Sequence, residues 1–226
     1  NTNLVPSGEE RAAMYEPTQT VGIETISADI EENDVRLRLN IIDTPGFGDF
    51  VNNENAWDPI LQTIEARFEA YLEQENRVNR AKIQDSRVHA LLYFIQPTGH
   101  ALRPIDLEFL SRLHKRVNII PVIAKSDTVS PDELPLFKQR ILRDLEFHGI
   151  EIVKLPIHED DDEESIAEMD EIQSKLPFAI VGSNELVKSV DGRAVRGRSY
   201  PWGVIEVDNE AHCDFVKLRQ MLIRSN

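Results

Sequence analysis

Two short apolar runs constrain this chain more than anything else in it. Val88–Ile95 (VHALLYFI) and Val117–Ala124 (VNIIPVIA) are each about one strand long and lack polar alternation, so each needs cover on both faces. Leu102–Arg116, between them, reads as a helix. Strand, helix and strand in that order make a parallel crossover unit, and the same alternation continues on both sides. A helical pattern spans about Pro59 to Asn79, with Ile60, Ile64, Phe68, Tyr71, Leu72 and Val78 roughly on one face. Another starts at Ser130-Pro131-Asp132-Glu133, a capping box with proline at the first helical position, and runs to about His148, where Gly149 supplies a left-handed stop. Further strands are expected at Glu151–Leu155, Phe178–Val181 and Gly203–Val207, with a short hairpin around Asp191-Gly192 and a last helix from about Ala211 to Arg224. Pro121 is expected to disturb the strand that holds it. Upstream, strict alternation in Val21–Ile30 and Val35–Ile42 around the polar turn Glu31–Asp34 predicts an antiparallel hairpin. The fold class is α/β: a mostly parallel sheet covered by helices on both faces, with ligands at the carboxyl ends of its strands.

Length and charge narrow the function. A chain of 226 residues buries roughly 70% of its unfolded surface, enough for one large domain without staples. The lone Cys213 excludes a disulfide framework and a cysteine-based zinc cluster, as in a reducing cytoplasm. No apolar stretch approaches the roughly 20 residues that cross a bilayer. With 25 Lys and Arg against 40 Asp and Glu, the net charge of −15 opposes a nucleic-acid groove. Most of that excess sits in His158–Glu171 (HEDDDEESIAEMDE), which carries nine acids and no base. It reads either as a solvated loop or frayed helix, or as a docking surface for a basic partner.

Two strand ends carry the chemistry. Asp43-Thr44-Pro45-Gly46 closes the hairpin, where a carboxylate holds Mg²⁺ through water and a glycine N–H meets a phosphate. The same four residues also make an ordinary turn. Ala124-Lys125-Ser126-Asp127 closes a second strand about 80 residues later. Guanine offers two adjacent donors, its ring N–H and its exocyclic amino group, which one carboxylate accepts as a bidentate pair. Adenine lacks that pair and leaves a buried acceptor unmatched. The Lys125 stem is suited to cover the base, although Lys-Ser-Asp is also a common helix entry. Both motifs at strand ends, in this order, favour a guanine-nucleotide site.

Five segments extend that reading: DTPGFGD at Asp43–Asp49, QPTGHALRPID at Gln96–Asp106, NIIPVIAKSDT at Asn118–Thr128, PFAIVGSNE at Pro177–Glu185 and VRGRSYPWG at Val195–Gly203. Over nearly its whole length the chain resembles septins of fungal type, filament-forming GTP-binding proteins. The resemblance implies a P-loop NTPase-like, small-GTPase-like fold within one domain, residues 1–226. Residues 1–181 would form the GTPase core, without its first strand and phosphate loop, and 182–226 the septin-specific C-terminal extension. It assigns Asp43 and Gly46 to Mg²⁺ and the γ-phosphate, Lys125 and Asp127 to guanine specificity, and Gly182 and Arg198 to base contacts from later loops. Thr20 matches the switch threonine that orients the attacking water and helps hold Mg²⁺, with Thr18 and Thr25 as neighbours an alignment shift would promote. His100 and Glu133 match residues that reach the adjoining subunit's nucleotide. Trp202 matches an aromatic of that same contact, although a tryptophan there also reads as ordinary core. Arg193, Arg196 and Arg198 would otherwise be a solvated hairpin.

The resemblance further implies GTP or GDP with Mg²⁺ at a nucleotide-side interface, a second, terminal-side interface to other septin subunits, and a place in the cytoplasmic cytoskeleton at the cell cortex or division site. A cycling GTPase switch is the alternative, and a nucleotide-free scaffold the plainest reading. The phosphate loop G-x-x-x-x-G-K-[ST] is absent from these residues and is expected before Asn1, as is the basic segment septins use for acidic lipids. Both ends are expected to be truncated. Ala124 stands where many GTPases carry asparagine, and Phe47 where small signalling GTPases carry a catalytic glutamine, so hydrolysis is expected on the order of 10⁻⁴ s⁻¹ or slower.

Overall fold

A computed structural model describes residues 23–32, 35–44, 47–48, 53–78, 83–156, 162–189 and 191–223, in two units, Asn1–Arg87 and Val88–Asn226. In the first, β1 (Glu24–Glu32) and β2 (Val35–Asp43) form the expected antiparallel hairpin, with Glu24 opposite Asp43. Period-two alternation sorts its faces. Ile26, Ala28 and Ile30 lie opposite Ile41, Leu39 and Leu37, while on the other face Arg38 pairs with Asp29 at 2.9 Å and the Ser27 hydroxyl donates to Asn40 at 2.7 Å. Helix α1 (Asp58–Glu75) buries Ile60 and Ile64, and Arg67 reaches the Thr25 hydroxyl at 3.1 Å. It ends sooner than its apolar pattern predicts. Gln74 clamps the returning chain at Gln84 through both ends of its amide, and Val78, expected on the buried face, is fully exposed beyond the helix.

The second unit holds the parallel sheet, in the order β3 (Ala90–Ile95), β4 (Asn118–Ile123), β5 (Phe178–Ala179). Ile120 and Val122 face a core with Ile172 of α4 (Glu163–Ser174), Leu176, Phe178, and Leu218 and Met221 of α5 (Phe215–Ile223). On the opposite face Tyr93 of β3 stacks on Phe109 of α2 (Pro104–Leu113), with ring centroids 5.4 Å apart. β4 is therefore covered on both faces, as its continuous apolar run requires, whereas Phe94 of β3 is 54% exposed. Pro121 sits in the middle of β4 without breaking it. Ile119 and Ile123, of the same parity, accept from Val153 and Ile180 on the side away from β3, and β5 pairs only with Val122 and Ile123. The missing proline N–H thus faces the side away from β3, where β5 pairs only beyond it and the Val153 carbonyl accepts from the Gln173 amide instead.

Helix α3 (Glu133–Phe147) begins near its predicted cap, where the Ser130 hydroxyl accepts the Glu133 N–H at 3.3 Å and donates to the Glu133 carboxylate at 2.9 Å. Gly149 follows at φ +64. Glu151–Leu155 corrects an expectation: it is extended but not a strand. Only Val153 bonds to β4, and the Gln173 amide takes the places of a neighbouring strand, donating to Val153 O and accepting from Leu155 N, each at 3.1 Å. The last helix starts at Phe215 rather than Ala211, because the Asp214 carboxylate is committed to Lys138 at 2.7 Å and to the Ala179 N–H at 2.9 Å. Strands β6 (Leu186–Lys188), β7 (Ala194–Tyr200) and β8 (Gly203–Glu206) form a separate antiparallel sheet. Among the described residues no helix is long and apolar enough to cross a membrane.

Candidate functional site

The end of β4 turns sharply. Ala124 N–H bonds to Ile95 O at 3.0 Å, holding the chain beside β3, and Lys125 then adopts the left-handed conformation, φ 49 and ψ 47. That region is uncommon for a residue with a Cβ. Its neighbours hold it there: Ser126 N–H bonds to Ile180 O beyond β5 at 3.1 Å, and the Thr128 hydroxyl donates to Lys125 O at 2.8 Å. The turn leaves Lys125 exposed and sends the Asp127 side chain inward, where it is 1% exposed.

The second sheet supplies the partners. Arg198 and Tyr200 lie two residues apart on β7, so both project from the same face. Arg198 Nη1 donates to Asp127 Oδ2 at 3.3 Å, and the Tyr200 hydroxyl makes a short bond to that same oxygen. Arg198 Nε and Nη2 donate to the Gly182 carbonyl at 3.1 and 2.8 Å. Asp127 Oδ1 is buried and has no hydrogen-bond partner. Buried carboxylate oxygens are normally satisfied, so this orphan near a strand end is a candidate acceptor for a ligand donor.

Asp127 and Gly182, singled out from sequence, are thus joined through Arg198, with exposed Lys125 on the same turn as Asp127. Tyr200 was missed, although its period-two spacing from Arg198 was available. Arg193 and Arg196 pair with Asp191 and Asp208 at exposed positions, in keeping with a solvated hairpin. Trp202 is not core: it is 66% exposed and stacks flat on Tyr200, with centroids 4.7 Å apart and planes 6° off parallel. His100 and Glu133 line one cleft of about 420 Å³ with Thr98, Thr128, Leu136 and Arg140, whose guanidinium holds Gly99 O at 2.7 Å.

Asp43 is exposed at the end of β2, in the other unit. Thr20 and Gly46 lie outside the described residues, as do 158–161 of the acidic run. From Asp162 that run is helical: the Asp162 carboxylate caps α4 by accepting from Ser165 N–H at 2.7 Å, and Glu171 pairs with Lys217 at 2.9 Å. Sequence reading also missed a buried support beneath Gln96–Asp106. Asp106, 2% exposed, accepts from the Tyr93 hydroxyl at 2.7 Å and from Arg103 Nη2 at 2.8 Å. Burial, followed by the Asp106 charge, pushes the Tyr93 phenol far above its ordinary range.

A septin family model matches residues 1–226. The chain is 53% identical over 210 residues to Septin homolog spn1 of Schizosaccharomyces pombe, covering 93% of this chain and 45% of that one. Cell division control protein 3 of Candida albicans is 53% identical over 206 residues, covering 91% and 49%, and human Septin-4 is 51% identical over 209, covering 92% and 44%. The chain spans about half the length of the curated relatives it matches. The crystal structure of the septin GTPase domain from Chlamydomonas reinhardtii superimposes with a TM-score of 0.65 at 27% identity, over 90% of this chain and 74% of that one. Cdc11 from Saccharomyces cerevisiae gives 0.57 at 38% identity, over 75% and 74%. With its P-loop NTPase-like α/β fold, and with a family match running from its first residue to its last, the chain belongs to the septin family.

Proposed function

We propose that this chain is the guanine-nucleotide-binding domain of a filament-forming septin subunit, with residues 1–226 acting as one domain. The observation that carries the reading is the Asp127 carboxylate, buried at a strand end with Oδ1 unpartnered. A guanine ring N–H is a donor of the right kind for it, whereas adenine presents an acceptor there. Lys125, exposed on the same turn, would lie over the ring, and Arg198 and the Gly182 carbonyl border the base. Magnesium keeps most of its waters and needs only one or two carboxylates. The resemblance gives that role to Asp43, exposed at the end of β2, together with Thr20 and Gly46, which lie outside the described residues. Among the described residues no group of three or more His, Cys, Asp or Glu forms a cage of its own, which suits a cation held largely by phosphate and water.

The nucleotide serves assembly more than turnover. Exposed Trp202 and the cleft holding His100 and Glu133 give the base site a surface suited to another subunit, and Phe47 in place of glutamine makes hydrolysis slow. The subunit would work in the septin cytoskeleton at the division site, as the name of Cell division control protein 3 suggests for that relative. A terminal-side interface would continue the filament, and acidic-lipid contact would come from a basic segment. The test is to purify the full-length protein, identify its released nucleotide and follow particle size across salt. Retained GDP or GTP, with rods that shorten at high salt, is expected. Nucleotide-free protein, or a monomer that exchanges nucleotide rapidly, overturns the reading.

A further inference from the structure

The hydrogen bonds on Asp127 carry more than a preference for guanine. A carboxylate oxygen has about two lone-pair sites, and both on Oδ2 are taken, by the Tyr200 hydroxyl and by Arg198 Nη1. Oδ1 has none of its sites filled. The Tyr200 ring is held from its other side by the flat stack on Trp202, and its backbone is fixed in β7, opposite Gly203 of β8. The hydroxyl therefore stays on Oδ2.

We infer that Tyr200 sets the base selectivity of the site, which reads the purine ring N–H through Asp127 Oδ1 and reads the exocyclic amino group only weakly, so that hypoxanthine nucleotides are accepted along with guanine nucleotides. This rests on the guanine-site reading. Selectivity by hydrogen bonding comes mainly from the penalty of a buried group left unpaired by the wrong ligand. Adenine leaves Oδ1 unpaired and is rejected. Hypoxanthine keeps the ring N–H and lacks only the amino group, whose acceptor already has the Tyr200 hydroxyl, so nothing is orphaned. Without that hydroxyl, one lone pair of Oδ2 is left beside Arg198 Nη1 for the amino group to fill, and the two bases separate.

The test measures dissociation constants of GDP, IDP and ADP by calorimetry with Mg²⁺, for the full-length protein and for Tyr200→Phe, which keeps the ring stack. For the unaltered protein IDP is expected within about fivefold of GDP and ADP at least about a hundredfold weaker. In Tyr200→Phe the gap between GDP and IDP should widen by roughly tenfold, with thermal stability monitored alongside. Rejection of IDP as strong as that of ADP, or an unchanged gap in Tyr200→Phe, overturns the inference while leaving the guanine site standing. Equal affinity for GDP and ADP, or no binding of either, overturns the guanine site and the inference together.

Discussion

Gly197 separates Arg196 from Arg198 on β7 and is where the site is most exposed to a single methyl group. A Cβ built there would lie 2.2 Å from the backbone oxygen of Ile205 and 2.9 Å from Val187 Cγ2. Ordinary contact begins near 3.4 Å, so Gly197→Ala places the methyl about 1.2 Å too close to a backbone atom that cannot rotate away. Relief requires parting β7 from β8, whose register sets Arg198 opposite Ile205 and Tyr200 opposite Gly203. Overpacking of this kind, together with weakened ladder bonds, costs about 2–4 kcal/mol. Gly182→Ala is the matched control, because a Cβ there meets nothing within 4 Å and its backbone lies outside the left-handed region. Its carbonyl, which Arg198 uses, is unchanged by the substitution. Equilibrium urea unfolding of the two variants gives the comparison. Gly197→Ala should lose about 2–4 kcal/mol and most base binding through misplaced Arg198 and Tyr200, with Gly182→Ala within about 0.5 kcal/mol of the unaltered protein. Equal stability of the two variants would refute the steric account.

Asp106→Ala removes the acceptor shared by the Tyr93 hydroxyl and Arg103. It should cost about 2–3 kcal/mol by denaturation, below the full penalty of a buried pair because the Arg103 side chain is 35% exposed. Tyr93 also predicts an alkaline limit. Its folded-state pKa is raised above the ordinary 10.0 by burial and then by the Asp106 charge, so its contribution is complete below pH 10 and is lost as pH rises towards the folded value. Above pH 10 stability should fall by about 1.4 kcal/mol per pH unit through this residue, and Tyr93→Phe should remove that slope. Trp202→Ala and His100→Ala act on exposed side chains, so unfolding midpoints should stay nearly constant while sedimentation shows shorter rods; unaltered rods in both would count against the nucleotide-side interface.

What could be read in advance depended on whether the signal was local. The runs at Val88–Ile95 and Val117–Ala124 announce strands because they are apolar without alternation, although Phe94 is 54% exposed, and the Ser130 cap and Gly149 stop are written in adjacent residues. The strand expected at Glu151–Leu155 misled because extended apolar residues satisfy the core equally well when a side chain, here Gln173, fills the ladder positions. Asp127 was legible as a candidate base reader from its place after a strand, and the structure buries its side chain there. Tyr200 was not, because its role depends on β7 meeting the end of β4, a contact between residues 73 apart in sequence. Trp202 shows the same limit: residue type alone left core open as the alternative to an interface aromatic, and its exposure rules core out within this chain.

The most direct trial is a crystallographic or cryo-EM map of the full-length protein with GDP. The account predicts the guanine ring nitrogen N1 about 2.7–3.2 Å from Asp127 Oδ1, with Arg198 still holding the Gly182 carbonyl. A base bound elsewhere, or an Oδ1 turned to a protein donor while nucleotide is present, would contradict it.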